Sequence, residues 1–152
     1  MHEKEMIPES VMNLIRKSKI AIPFIFFLFL TSCEKEEINV NLQIASIYDE
    51  YFKETDSYAK LNLMVNLCDL IKNNQSKFSE QENYEYALGL STARLALLRE
   101  EIAKLQNDHA DNSDIINLKN EAVRTINNSL QKKLHNKELG WDDIKSLLNE
   151  YK

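Results

Sequence analysis

Beyond Pro23 the chain has no proline, and its only glycines are Gly89 and Gly140. With so few turn-formers, and with Leu, Glu, Lys, Asn and Ala abundant, the residues after Cys33 read as mostly helical. Clustered positive charge is also missing. From Cys33 onward 15 Lys plus Arg stand dispersed against 21 Asp plus Glu, a formal net of −6. Affinity for a phosphate backbone needs clustered cations, so nucleic acid is excluded as a partner. The same acidity argues against a body lying flat on an anionic bilayer. Phosphate-binding glycine loops, G-x-S-x-G and zinc-type Cys/His spacings are all absent. What the chain does have is apolar residues, 43% of its 152, enough for a core and too many for a disordered body.

No apolar run is long enough to span a membrane. The longest, Ile20 to Leu30, is broken only by Pro23. As a helix it would reach about 16 Å, roughly half the hydrocarbon core. That length suits the apolar section of a secretory signal peptide, and Arg16, Lys17 and Lys19 supply the positive section before it. Residues His2 to Val11 carry Glu3, Glu5 and Glu9 against Lys4 alone, the wrong charge for a leader. The reading therefore places the start of translation at Met12.

The run ends at Leu30-Thr31-Ser32-Cys33, which resembles the lipobox of bacterial lipoproteins. The resemblance covers Met12 to Cys33 and implies that a diacylglycerol is attached to the Cys33 sulfur. Signal peptidase II would recognise Leu30, Thr31 and Ser32 and cut before Cys33, and the new amino terminus would be acylated. Two or three chains hold a protein to a membrane where one holds it marginally. Next come Glu34, Lys35, Glu36 and Glu37. As plain charge they make a solvated spacer. Lys35, Glu36 and Glu37 also resemble the export signal of surface lipoproteins in Bacteroidota-type bacteria, which implies an outer-membrane, surface-facing location. The domain reading is a signal peptide over 1–32, lipidated Cys33 with a charged spacer over 33–38, and a helical body over 39–152.

Periodicity in the body predicts five helices. Val40, Ile44, Ile47, Tyr48, Tyr51 and Phe52 share a face near 39–54. Leu61, Met64, Val65, Cys68 and Ile71 do so near 57–73, before a polar loop NNQSK. Ser79 and Glu82 have capping-box spacing and start a third helix, 80–106. Its seam, Tyr84, Leu88, Ser91, Leu95, Leu98, Ile102 and Leu105, alternates steps of four and three. A fourth helix over about 114–135 carries Ile116, Val123, Ile126, Leu130 and Leu134. After Gly140, Trp141, Ile144, Leu147, Leu148 and Tyr151 form a short fifth. Single apolar faces must bury against one another, so the expected fold is all-α, an antiparallel bundle of four to five helices. The heptad seam keeps one rival open, self-association through helix 80–106 as a coiled coil.

Few residues suggest chemistry. Cys68 sits mid-face between Met64 and Ile71 and reads as a small core residue; with Cys33 lipidated it has no disulfide partner. Asp108, His109, Asp111 and Asp114 lack EF-hand spacing and read as a polar connection. His135 with Glu138 stands alone and decorates a helix end. Glu100 has its i,i+4 neighbour Lys104, and Asp142 and Asp143 start the last helix. No catalytic residue, metal or cofactor is expected beyond the lipid on Cys33. Phe78 and Tyr86 fall off the seam and are singled out as a partner-binding patch. The expected function is a lipid-anchored, non-catalytic interaction module of the cell envelope: an accessory subunit, inhibitor or immunity-type protein with an envelope or extracellular protein partner. A second reading is a bundle that binds or hydrolyses a small molecule with converging carboxylates.

Overall fold

The computed structural model describes residues 35–106, 112–131, 133–134 and 137–150. These form five α-helices: α1 Lys35–Lys53, α2 Ser57–Asn73, α3 Gln81–Leu105, α4 Ser113–Leu130 and α5 Trp141–Asn149, with a 3-10 turn Gln75–Lys77 between α2 and α3. The architecture is an all-α bundle, as the periodicity predicts.

Helix α1 starts four residues before the first residue that periodicity assigns to it, because Lys35, Glu36 and Glu37 continue the helix. Glu and Lys are strong helix formers, and acids near an N-terminus suit the helix dipole. Asp56 caps α2 by accepting from the Ala59 N–H at 2.8 Å, which satisfies one of the orphan donors of the first turn. Two boundaries differ from expectation. The N-cap of α3 is Glu80, one residue past Ser79, and the Glu80 side chain makes no capping bond. Helix α4 stops at Leu130 instead of near 135, where Lys133 and Leu134 both donate to the Leu130 carbonyl. Leu134 still reaches the core, but from a turn.

Helix α3 is the centre of the bundle and is apolar on two sides. Its seam residues Leu88, Leu95 and Leu98 join Val40, Ile44, Met64, Leu67, Cys68 and Ile71 in a first core with α1 and α2. These three seam positions are thus filled within the chain. Its other side, Leu90, Ala93 and Leu97, packs with Ala122, Ile126, Leu134, Leu139, Ile144, Leu147 and Leu148 in a second core with α4 and α5. Helices α3 and α4 approach closely at Gly89, where a Cβ would lie 2.5 Å from Ile126 Cγ1 and 3.1 Å from Ile126 N. Small residues at Gly89, Ala93 and Ala122 are what allow that approach.

Three expected core positions are exposed. Phe52 is 48% exposed, Ile116 53% and Leu105 70%. All three sit near helix ends. Between α4 and α5 the chain is held by Asn127, whose amide accepts from Leu139 N–H at 2.8 Å and donates to Leu139 C=O at 2.9 Å. One side chain thereby satisfies both backbone groups of a non-helical residue. Asp143 accepts from the Gly140 N–H at 2.8 Å and starts α5.

Candidate functional site

The far ends of α1 and α3 and the near ends of α2 and α4 form one end of the bundle. Ser57 donates to Glu101 at 2.9 Å, and Gln106 donates to the Tyr58 hydroxyl. Both bonds fix the start of α2 against the end of α3. Helix α4 runs back along α3, since Lys119 pairs with Glu100 at 2.9 Å while Ile126 faces Gly89. Of the five exposed large hydrophobics among the described residues four lie here, Phe52, Tyr58, Leu105 and Ile116; Leu42 lies elsewhere. Residue 35, where α1 begins, is at the other end. At 19 residues that helix is about 28 Å long.

Below this end lies an aromatic cluster on α1. Tyr51 meets Phe52 edge to face at 5.2 Å, and Tyr48 stacks on Phe52 at 6.2 Å. Such offset and T-shaped arrangements suit the ring quadrupoles. Arg94 of α3 projects into the cluster, its guanidinium carbon 5.9, 5.5 and 5.0 Å from the centroids of Tyr48, Tyr51 and Phe52. Lys60 of α2 stands over the Tyr51 ring at 5.4 Å. Burial pushes the Tyr48 hydroxyl above its ordinary value, opposed by Arg94 and by the hydrogen bond with Ser91 at 3.3 Å. Arg94 escapes a periodicity search because its neighbours on the seam are apolar. A signal does exist, since Arg94 is the only charged residue between Tyr86 and Leu98.

On the opposite side of α3 a charged chain links three helices. Glu100 accepts from Lys104 at 3.0 Å and from Lys119 at 2.9 Å, and Lys119 lies 5.2 Å from the Trp141 ring centroid. The hydrogen bonds from Lys119 and then Lys104 hold the Glu100 carboxyl below the usual range. A shallow groove of about 500 Å³ between α1 and α2 is lined by Glu50, Lys53, Glu54, Asn62, Leu63 and Asn66 among others. Glu54 there is held low by the N–H groups of Asp56 and Thr55.

Leu30, Thr31, Ser32 and Cys33 lie outside the described residues, as do Asp108, His109, Asp111 and His135. Lys35, Glu36 and Glu37 form the first turn of α1. Phe78 and Tyr86 are both half-buried. Phe78 packs edge to face on Tyr84 at 5.6 Å and against the first core, so it is a wedge under the loop and not an exposed anchor. Cys68 is a buried free thiol, pushed up to about 11 chiefly by burial. Among the described residues no three His, Cys, Asp or Glu gather as metal ligands. No helix among them is long and apolar enough to cross a membrane. Compared with family models, curated proteins and solved structures, the chain matches none.

Proposed function

We propose that the protein is a lipoprotein of the bacterial cell envelope, anchored through Cys33, whose helical body binds a protein partner without catalysing a reaction. The observation that carries the reading is the order of residues 16–37: cations, a short apolar run, Leu30-Thr31-Ser32-Cys33, then Lys35, Glu36 and Glu37. In this reading the lipid covalently bound to Cys33 takes the place of a transmembrane helix, and the charged turn points to the outer face of the outer membrane.

The bundle supports the reading in two ways. Phe52, Tyr58, Leu105 and Ile116, four of the five exposed large hydrophobics among the described residues, gather about 28 Å along α1 from where the anchor would sit. A contact surface there would clear the headgroups and face a partner. Its carboxylates also favour binding over the hydrolytic alternative. Of the Asp and Glu residues whose side chains are described, none is buried, so they look outward and do not converge in the interior. A net charge of −6 from Cys33 onward suits a cationic partner surface, such as that of a basic enzyme or toxin.

The test is intact mass and membrane fractionation of the protein beside Cys33→Ser, with protease shaving of whole cells. The expected result is an acylated, membrane-bound wild type that shaving removes, and an unacylated Cys33→Ser released from the membrane. An unmodified wild-type chain that keeps its leader would overturn the anchor, and protection from shaving would overturn the surface location.

A further inference from the structure

Arg94 is 7% exposed, yet its guanidinium donates no hydrogen bond and forms no ion pair with any described residue. Its partners are the rings of Tyr48, Tyr51 and Phe52. A buried cation ordinarily has a carboxylate or several acceptors against it. Arg94 is not sealed, however. No fully buried side-chain nitrogen or oxygen among the described residues lacks a hydrogen-bond partner, so the small exposure that Arg94 keeps lies at its nitrogens. Lys60 adds a second cation on the same Tyr51 ring and likewise has no ion pair. Of the nearby carboxylates, Asp49 pairs with Lys53, and Glu54 is held by the Thr55 and Asp56 N–H groups and is close enough to feel the Lys60 charge without forming an ion pair with it. In a body of net −6, a buried guanidinium with no carboxylate against it, beside a second cation that forms no ion pair, marks a place for an anion. The surrounding rings mark it for an anion with an apolar part.

We propose that Arg94, Lys60 and the Tyr48–Tyr51–Phe52 rings form a binding site for an apolar carboxylate. Its oxygens would accept from the Arg94 guanidinium and the Lys60 ammonium, and its apolar portion would lie against Phe52, which is 48% exposed. Arg suits this task because its fork of N–H donors matches the two carboxylate oxygens. The carboxylate belongs either to a free small acid or to the carboxyl terminus of another chain ending in an apolar residue. The inference stands whether or not Cys33 is acylated.

The experiment uses the full chain in detergent, with 3-phenylpropionate and its neutral amide as probes, each titrated against thermal stability. The acid is expected to stabilise at concentrations at least about tenfold lower than the amide. Arg94→Met should abolish that preference while the unliganded protein melts no lower than wild type, because an uncompensated buried charge has been removed. Lys60→Gln should weaken the acid several-fold. Equal effects of acid and amide, or an Arg94→Met protein that still prefers the acid, would overturn the proposal. If Arg94→Met does not fold, the acid–amide comparison and Lys60→Gln decide it. A Gly-Gly-Phe peptide with a free terminus, beside its amidated form, separates the sources. Binding tighter than 3-phenylpropionate and dependent on the free terminus assigns the site to a chain end; weaker binding assigns it to a small acid.

Discussion

Adding one methyl group at Gly89 tests how the two cores are joined. In an exposed helix interior Gly→Ala stabilises by about 1 kcal/mol through propensity alone. At Gly89 the new Cβ would lie 2.5 Å from Ile126 Cγ1, 3.1 Å from the Ile126 backbone N and 3.5 Å from the Ala122 carbonyl. Ile126 is 1% exposed, so neither its branch nor its backbone can step aside without moving α4. Overpacking of this kind costs about 1–3 kcal/mol. Subtracting the propensity gain leaves a net loss of up to about 2 kcal/mol, with a centre near 1. For a body of this size that lowers the melting temperature by roughly 4 °C. The assay is denaturant and thermal unfolding followed by far-ultraviolet circular dichroism. Ile126→Ala alone should cost about 2–5 kcal/mol, and in its background Gly89→Ala should lose most of its penalty, a coupling of about 1 kcal/mol. A Gly89→Ala protein that melts higher than wild type would refute the close approach of α3 and α4.

Other consequences follow from single contacts. Asn127→Ala leaves both Leu139 backbone groups without their partner and should cost about 1–3 kcal/mol, read as a lowered denaturation midpoint with unchanged slope. Cys68 should resist iodoacetamide at neutral pH until the protein unfolds. Because burial raises its thiol from 9.0 to about 11, its contribution to stability is complete below pH 9 and is lost as pH rises through 11. Glu100 has the opposite sign. Its carboxyl is lowered by Lys119 and Lys104, so its contribution is present above the ordinary carboxylate value and lost on acidification, and Glu100→Gln should flatten the fall in melting temperature at acid pH. Phe78→Ser should lower the melting temperature measurably, since the ring packs on Tyr84 and the first core; an unchanged value would return Phe78 to the surface patch.

Most of the helical order was legible in the chain, because a helix that buries one stripe repeats its apolar residues every three to four positions. Residues Leu61 to Ile71 gave α2 with its ends at Ser57 and Asn73. The seam of α3 gave its length, but hid that Leu90, Ala93 and Leu97 make a second apolar side. A pattern with two stripes looks like a weakened single one. The proposed targeting role of Cys33 rests on the sequence alone, since the protease and lipid transferase of that proposal would read side chains in their order along the chain.

Tertiary structure alone decided what depends on distance between helices. Nothing in the spacing of Gly89 says that Ile126 will lie against it, and nothing near Asn127 predicts that it bonds to both sides of Leu139, twelve residues on. Arg94 is the sharpest case. In the sequence it is one cation in an apolar stretch. Only the packing of α1 against α3 surrounds it with three rings and leaves it without a carboxylate, because which side chains meet across an interface is set by helix register and crossing, and neither is written in one helix's own periodicity.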